Sequence, residues 1–433
     1  MKEKSKFGFS SIVLLGINAI IGSGIFLLPN SIYKTIGSAS MFVVLFDMFL
    51  VISLALCFAE AAGMFKQNGG PYIYAKEAFG NFIGFEVGFM KWAISIIAWS
   101  AMAVAFTTAL SKVWPQAGTG IVKNIIVTII IGGLGFLNYL GVKVSQLMNN
   151  IVTFGKLIPL VIFVAIGIFF IKGGNFSPMF VGGSYKAGSF GSAALIIFYA
   201  FTGFESIAVA AEDMEKPEKN VPIALITVML IVSAFYLLIL AVCIGALGPK
   251  LANSVAPVAD AAGAFMGPFG SALVTAGTLI SIGGINIASS FITPRSGVAL
   301  AEGGMLPKII SKNGKHGTPA WSILITVVIA ILIAISGSFA TLAAISVISR
   351  FAQYLPTCLA IPVLRKTRPD LNSTFRIPFG PVIPVVAIVV SIWMLTQTTL
   401  HNVLFGLGGL VVGIPIYIFM TRVYNVRAES QAG

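Results

Sequence analysis

The sequence predicts an all-α membrane protein with twelve transmembrane helices, and three observations support this fold class. Hydrophobic residues make up 57% of the 433 residues. Charged residues make up only 9%, whereas a soluble domain carries about 25%. The apolar residues are also collected into segments of about 20 residues or more, the length that a helix needs to cross a bilayer. A soluble enzyme, a nucleic-acid-binding protein and a disordered chain are therefore excluded.

Twelve apolar segments, each bounded by polar residues or by Gly and Pro turns, follow one another along the chain. They lack the alternating pattern of outer-membrane β-strands, and lipid offers no partner to open backbone, so helices are expected. The first segment follows a basic N-terminus but is too long for the apolar core of a signal peptide, and we expect it to be retained. The predicted spans are 9–33, 40–64, 82–111, 121–141, 147–171, 189–211, 222–247, 264–300, 319–336, 339–364, 382–398 and 402–423.

The distribution of basic residues predicts the orientation of these spans. Of the 27 Lys and Arg residues, seventeen fall in the two termini and in the loops that follow even-numbered spans, and six fall in the loops that follow odd-numbered spans. Because basic residues collect in cytoplasmic loops, both termini are expected in the cytoplasm of a multi-pass protein of the plasma membrane. The same rule accounts for the net charge of +13 without a nucleic-acid partner.

Metal and cofactor chemistry is not expected from this sequence. The three cysteines lie in separate apolar stretches, and two histidines cannot build a metal site between them. The absence of a GxxxxGK[ST] motif excludes a nucleotide-driven pump, and no Ser/His/Asp set or HExxH motif indicates an enzyme. The expected partners are the lipid bilayer, a small-molecule substrate and, if transport is coupled to them, protons. The oligomeric state is not predicted.

Two spans contain glycines at positions that would interrupt a helix. Span 1 carries a Gly-Ser-Gly sequence that begins at Gly22, and span 6 carries Gly203 close to an acidic residue. Gly22 lies 13 residues after Phe9, and Gly203 lies 13 residues after Phe190, so the two glycines fall at matching depths in their spans. Close helix packing alone also explains a single small-residue motif. Interrupted helices at matching positions in two halves, however, indicate the substrate site of a transporter.

The backbone at such an interruption has a definite chemistry. An unwound stretch exposes N–H groups at the start of the following half-helix, and these attract a carboxylate. The preceding half-helix ends in free carbonyl groups, and these attract an ammonium. A site that offers both is complementary to a zwitterion, and an α-amino acid has that geometry.

Two ionisable residues inside the spans are candidates for function, because charge is costly in the hydrocarbon region. Glu205 in span 6 is expected to support the broken backbone, with substrate contact as the alternative. Lys156 lies deep in span 5, where its amine can release a proton or its ammonium can stand in place of a sodium ion. The alternative for Lys156 is a lipid-facing lysine that extends to the interface.

Four further ionisable residues lie within or near spans. Asp47 in span 2 has no evident partner, and no role is predicted for it. Arg295 follows a Thr-Pro pair in span 8 and is expected to face a cytoplasmic vestibule. Arg350 is expected either to gate the pathway or to pair with an acid. Glu60 is expected to be solvated near the cytoplasmic interface.

These residues, together with further motifs, resemble the amino acid–polyamine–organocation (APC) permease superfamily. The resemblance is to bacterial amino acid permeases, akin to the arginine/agmatine antiporters and to exchangers of the L-amino-acid-transporter type. The antiporters lack the lysine of span 5 and carry a tryptophan gate where this chain has Tyr199. The matching motifs are Ile21-Gly22-Ser23-Gly24-Ile25-Phe26, Phe58-Ala59-Glu60, Gly69-Gly70-Pro71-Tyr72-Ile73-Tyr74, Gly203-Phe204-Glu205, Pro217-Glu218-Lys219-Asn220-Val221-Pro222, Gly303-Gly304-Met305-Leu306-Pro307 and Gly317-Thr318-Pro319.

The resemblance implies a fold of two inverted repeats of five helices, with helices 1 and 6 unwound at the midplane of the membrane. The first repeat would cover residues 8–172 and the second residues 189–366. Two additional helices would lie within residues 382–424.

The resemblance also implies roles at the site. Residues around the break in span 1 would hold the substrate carboxylate and part of its amine, and residues at the break in span 6 would offer carbonyl groups to the amine. Tyr199 would also close over the substrate as a gate. Lys156 matches the lysine of members that work without sodium. The implied substrate-binding residues are Ile20, Gly22, Ser23, Gly24, Tyr199, Phe201, Thr202 and Gly203.

We therefore expect a secondary active transporter of L-amino acids that works by alternating access and without sodium, either coupled to protons through Lys156 or as an obligatory exchanger. Small or apolar neutral amino acids are favoured because no acid is clearly placed for a cationic side chain. The alternative within transport is an amino acid/amine (polyamine) antiporter, for which Asp47 would have to supply a pocket carboxylate. A different class is a channel or a membrane-embedded sensor, although a channel needs a continuous polar lining that these spans do not show.

Overall fold

The computed structural model describes residues 8–65, 70–141, 146–209, 215–371, 373 and 375–432. Within these ranges the regular structure is entirely helical. Gly69 of the motif after span 2 and residues 210–211 of predicted span 6 lie outside the described residues. The helices are α1 Phe9–Ile20, α2 Ser23–Leu27, α3 Pro29–Ile36, α4 Ser40–Met64, α5 Pro71–Phe79, α6 Asn81–Leu110, α7 Gly120–Tyr139, α8 Gln146–Gly167, α9 Ser189–Phe198, α10 Glu205–Val209, α11 Pro217–Leu247, α12 Pro257–Glu302, α13 Ala320–Ser336, α14 Phe339–Thr367, α15 Val382–Thr396 and α16 Leu400–Ala432.

Each of the twelve predicted spans corresponds to helical structure. In the described part of the chain, nine helical stretches are long and apolar enough to cross a membrane, and three shorter apolar helices, α1, α13 and α15, accompany them. Span 1 is divided among α1, α2 and α3, and span 6 is divided between α9 and α10. The prediction of an all-helical membrane protein in which spans 1 and 6 are broken is therefore confirmed.

The eighth span differs from its predicted bounds. Helix α12 begins at Pro257, and Gly267 within it has non-helical backbone angles, with φ of 66° and ψ of −159°. A short helical segment therefore precedes the span proper, which begins after Gly267 rather than at residue 264. Hydropathy could not separate the two segments, because both are apolar and they follow each other without a polar loop.

The helices pack around the broken segments of spans 1 and 6. Helix α4 packs along α11, while α12 packs against both α6 and α8. Small residues permit the closest of these approaches: a Cβ atom at Gly277 in α12 would lie 2.8 Å from the carbonyl oxygen of Gly155 in α8. Close contact between glycines lets membrane helices gain packing energy without large side chains.

The outer surface of the bundle is apolar, as a lipid-facing surface must be. Large side chains such as Ile121 on α7, Val411 on α16 and Phe169 after α8 are exposed. A soluble protein rarely leaves so much contiguous apolar surface in water. The burial pattern and the helix lengths together describe a multi-pass membrane protein.

One expectation for an interfacial residue is wrong. Glu60, near the end of α4, is fully buried rather than solvated. Its two carboxylate oxygens accept hydrogen bonds of 2.6 Å from Nε and Nη2 of Arg365, and the backbone N–H of Ile377 donates to it at 2.7 Å. The connection between α14 and α15 folds back over the end of α4, and the sequence gives no local indication of this.

Candidate functional site

The first break lies between α1 and α2. Helix α1 ends at Ile20, and Ile21 then leaves the helical region with ψ of 102°. Gly22 is extended, with φ of −138° and ψ of −152°, and Ser23 starts the next helical turn. The last carbonyl groups of α1 and the first N–H groups of α2 therefore have no partners within a continuous helix.

The second break lies between α9 and α10. Helix α9 ends at Phe198, and a single 3₁₀ turn formed by Tyr199–Phe201 follows it. Thr202 is extended, with ψ of 153°, and Gly203 has a φ of +111°, which L side chains rarely adopt. The chain resumes helical structure at Glu205.

The two breaks touch each other. A Cβ atom at Gly24 would lie 2.7 Å from Cα of Ala200, and one at Gly203 would lie 2.6 Å from the carbonyl oxygen of Ala19. The buried hydroxyl of Tyr236 on α11 lies 3.0 Å from the carbonyl oxygen of Ala200 and 3.3 Å from that of Ile20. The interrupted segments therefore form one site and are not two unrelated kinks.

Lys156 of α8 is bound to the first break. Its side chain is only 1% exposed, and its Nζ donates hydrogen bonds to the carbonyl oxygens of Asn18, at 2.5 Å, and Ile21, at 2.8 Å. The ammonium thus satisfies carbonyl groups that the end of α1 leaves free. A lipid-facing lysine that extends to the interface is excluded by this burial.

Glu205 lies beside the second break and holds three partners. Its carboxylate accepts the backbone N–H of Gly203 at 3.0 Å and the hydroxyl of Tyr354 at 3.2 Å. It also forms an ion pair with Arg350. Arg350 and Tyr354 are one turn apart on α14, so both contact Glu205 from the same helix face. Through Glu205, α14 supports the broken backbone.

A cavity of about 650 Å³ lies against both breaks. Phe201 is the one predicted substrate-binding residue that does not line it: its ring is buried and packs at 5.2 Å from the ring of Tyr236. The predicted site residues that do line the cavity are Ile20, Gly22, Ser23, Gly24, Lys156, Tyr199, Thr202, Gly203 and Glu205.

Helices α6 and α12 supply most of the cavity wall that sequence reasoning missed. Met102 of α6 lies against the first break, where its sulfur accepts a hydrogen bond of 3.2 Å from Ser23 Oγ. Ile285 of α12 covers Gly22: a Cβ atom at Gly22 would lie 3.2 Å from Cδ1 of Ile285. On α6 the lining residues Lys91, Ser95, Ala98 and Met102 recur at helical spacing. That spacing is the only sequence signal that marks them.

Asp47 lies away from this cavity. It is fully buried on α4, and neither carboxylate oxygen has a hydrogen-bond partner among the described residues. It is not one of the cavity-lining residues. Among the described residues, no group of three His, Cys, Asp or Glu side chains could hold a metal ion.

Comparison with known proteins places the chain in a family. The family model described as amino acid permease matches residues 7–423. An uncharacterized transporter of Mycobacterium tuberculosis strain H37Rv is 34% identical, and the alignment covers 93% of this chain and 90% of that protein. The serine/threonine exchanger of Bacillus subtilis is 28% identical, with 97% of each chain covered. The methylthioribose transporter of the same organism is 26% identical, with 96% of this chain and 93% of the relative covered.

The match spans nearly the whole length of the chain and includes both breaks and the cavity. The relatives are transporters, which agrees with a site that is built from backbone groups rather than from a catalytic set. The chain therefore belongs to the amino acid permease family, and it is a multi-pass membrane transporter rather than an enzyme.

Proposed function

We propose that the protein is a secondary active transporter of L-amino acids that carries small or apolar neutral substrates across the cell membrane by alternating access. It works without sodium, either with proton coupling through Lys156 or by obligatory exchange, and both termini lie in the cytoplasm. The observation that carries this proposal is the contact of the Lys156 ammonium with the carbonyl oxygens of Asn18 and Ile21 beside the paired helix breaks.

The position of Lys156 argues for sodium independence. A sodium ion at the end of a half-helix needs carbonyl oxygens as ligands. Here two carbonyl groups at the end of α1 are already bound by a protein ammonium. The fixed positive charge takes the place that a coupling sodium ion would need.

The shape of the broken segments argues for an amino acid as substrate. The N–H groups at the start of α2, around Ser23 and Gly24, would bind its carboxylate, and Ile20 and Gly22 would border it. The carbonyl groups of the 3₁₀ turn and of Thr202 and Gly203 would receive its ammonium. Tyr199, whose ring packs at 5.7 Å from that of Phe339, would close over the substrate.

The helix contacts support the proposed division into two inverted repeats, 8–172 and 189–366, with 382–424 outside them. Helix α1 contacts α11, and correspondingly α9 and α10 contact α4. Helix α6 contacts α14, and correspondingly α12 contacts α8. In an inverted five-plus-five fold the first repeat's helices 1, 2, 3 and 5 are equivalent to 6, 7, 8 and 10, so both pairs of contacts are reciprocal.

The rival functions lack a comparable feature. An amino acid/amine antiporter needs a carboxylate in the pocket, and its candidate, Asp47, does not line the cavity. The lining acid, Glu205, is engaged by Arg350. A channel needs a continuous polar pathway, whereas the end of the cavity near Tyr199 and Ser23 is formed by buried residues.

Uptake into proteoliposomes tests the substrate class. The purified full chain is reconstituted, and uptake of one labelled neutral amino acid is measured against a panel of unlabelled amino acids, amines and methylthioribose. We expect competition from small and apolar neutral amino acids and unchanged uptake when choline replaces sodium. Strict sodium dependence, or competition only from amines or only from methylthioribose, would contradict the proposal. Uptake that needs a pH gradient indicates proton coupling, and uptake that needs internal amino acid indicates exchange.

Replacement of Lys156 tests the coupling element. Lys156→Ala removes two hydrogen bonds from a charged donor, each worth about 1.5–3 kcal/mol, so transport should fall at least about tenfold or lose its coupling. Lys34→Ala is the matched control, because Lys34 is an exposed lysine on α3. The size-exclusion profile of both variants should match that of the unaltered protein. Unchanged transport by Lys156→Ala would reduce Lys156 to a packing role.

A further inference from the structure

The cavity extends well beyond the broken helices. From the level of Gly22 it continues between α6 and α12 toward residues that include Arg295 and Ala299, which are exposed. Ile285 touches the Gly22 position, and Arg295 lies ten residues further along α12. At 1.5 Å per residue this is a distance of about 15 Å along the helix. We call the part of the cavity between the two breaks the seat. The far end of the cavity is a vestibule that a substrate bound in the seat does not reach.

Two basic side chains lie in the wall of this vestibule. Lys91 of α6 and Arg295 of α12 both line it. The register of the two helices follows from their closest contacts, because a Cβ at Gly297 would lie 2.8 Å from the Trp92 ring and one at Gly88 would lie 3.0 Å from Leu300. Lys91 is thus level with residues 297–300, and Arg295 is offset from it by about 4 Å along the helix axis.

Neither of these two cations has an acidic partner among the described residues. Lys156 is bound by carbonyl oxygens, and Arg350 is paired with Glu205. Arg295 donates only to the carbonyl oxygen of its own helix residue Phe291, whose ring it covers, and among the described residues Lys91 forms no ion pair or hydrogen bond through its ammonium. Within the described lining, the vestibule therefore carries two uncompensated positive charges.

We propose that Lys91 and Arg295 form a carboxylate-binding site in the vestibule. The occupant is the carboxylate group of the amino acid on its way between the cytoplasm and the seat, so this inference rests on the proposed function. A guanidinium and an ammonium on facing helices can each donate to one carboxylate. A cleft lined by one sign of charge also raises the local concentration of the opposite ion by about tenfold or more. The same charges repel an organic amine that has lost its carboxylate.

A cysteine reporter measures this site without relying on transport. Ala299→Cys places a thiol on the vestibule wall one turn from Arg295, and the three native cysteines are all buried. Its labelling is compared for an anionic and a cationic methanethiosulfonate reagent of similar size. We expect the anionic reagent to react about tenfold faster. This preference should disappear in Lys91→Gln/Arg295→Gln and persist in Lys91→Arg/Arg295→Lys and in the exposed-lysine control Lys34→Gln.

Competition distinguishes a carboxylate site from general attraction of anions. Sodium propionate should slow the anionic reagent more than sodium chloride at the same ionic strength. Equal effects of the two salts, equal rates for the two reagents, or a preference that survives Lys91→Gln/Arg295→Gln would overturn the proposal. Because the reporter needs no amino acid transport, these results stand even if the proposed function fails.

Transport from the two sides gives the functional readout. In inverted membrane vesicles preloaded with a saturating neutral amino acid, Lys91→Gln/Arg295→Gln should raise the KM for the external amino acid about tenfold with the maximal exchange rate little changed. In right-side-out vesicles preloaded in the same way, where the substrate arrives from the other end, KM should stay the same. Equal changes of KM on both sides would assign the two residues a structural role and refute the vestibule site. Absence of amino acid transport by the unaltered chain would instead refute the proposed function.

Discussion

At the scale of single residues, the site depends on positions where a side chain would not fit. Gly203 combines a φ of +111° with a Cβ position 2.6 Å from the carbonyl oxygen of Ala19. The positive φ would strain any L residue at this position. The close approach means that an added side chain would push the two breaks apart. Gly24 has only the close approach, since its Cβ position is 2.7 Å from Cα of Ala200. Both glycines keep the two broken segments in backbone contact. This contact allows the Tyr236 hydroxyl to lie within hydrogen-bonding distance of a carbonyl group of each segment.

Gly203→Ala should therefore destabilise the protein and abolish transport. The backbone term alone costs about 1–2 kcal/mol, and the contact with Ala19 adds to it. The matched control is Gly133→Ala on α7, a helical position with nothing within 4 Å of the added Cβ, where alanine should be neutral or stabilising by up to about 1 kcal/mol. Thermal unfolding in detergent and uptake are measured for both. Equal midpoints for the two variants would show that the break tolerates a side chain.

At the scale of secondary-structure elements, α14 holds two other segments in place through ion pairs. Arg350 and Tyr354 reach Glu205 at the start of α10, and Arg365 reaches Glu60 at the end of α4. In each pair the acid is largely or completely buried, with side-chain exposures of 14% for Glu205 and 0% for Glu60. A buried carboxylate that loses its cation keeps its desolvation cost, so breaking either ion pair is strongly unfavourable. Each pair therefore holds two helices together.

Two arginines on the same part of the chain allow this argument to be tested. Arg365→Ala leaves the buried Glu60 without its cation and should destabilise the protein by about 3 kcal/mol or more. Arg368→Ala breaks pairs with Glu77 and Asp370, whose side chains are 37% and 61% exposed, so solvent screening makes its cost much smaller. The difference between the two unfolding midpoints is the measurement. A larger loss for Arg368→Ala would reverse the assignment of the structural ion pair.

At the scale of the whole molecule, the sequence was sufficient for the number and order of the helical spans because each span carries its own hydropathy signal. It also located the breaks, since Gly22 and Gly203 interrupt otherwise apolar helices. Contacts between distant segments were out of reach: Arg350 follows Glu205 by 145 residues, and nothing local to Glu60 indicates its burial. The direction of the Phe201 ring was also out of reach: a 3₁₀ turn rotates successive side chains by about 120°, and this ring packs against Tyr236.

The cavity of the whole molecule is open at one end and closed at the other. The cavity reaches exposed residues near Arg295, while its opposite end is buried. Beyond that buried end, Lys112, just after α6, forms an ion pair with Asp260 near the start of α12. Ser254 donates a hydrogen bond to the same carboxylate, and the side-chain amide of Asn30 on α3 donates to the Ser254 carbonyl oxygen at 2.7 Å. With both termini in the cytoplasm, as proposed, these bonds join three segments on the outer side, and we expect them to separate when the substrate site opens there.

Loss of the Lys112–Asp260 pair should therefore shift the protein toward an outward-open state. The partly exposed pair contributes up to about 1 kcal/mol, which corresponds to a shift in population of about fivefold. The reporter is Ala98→Cys, a cavity residue of α6 near the seat, labelled in cells by a membrane-impermeant reagent. Asp260→Asn and Lys112→Met should each speed labelling from outside and slow it in inverted vesicles. The exchanged pair Lys112→Asp/Asp260→Lys should restore both rates, because it rebuilds the attraction across the same gap. Unchanged labelling in the single variants would mean that other contacts hold the outer side closed.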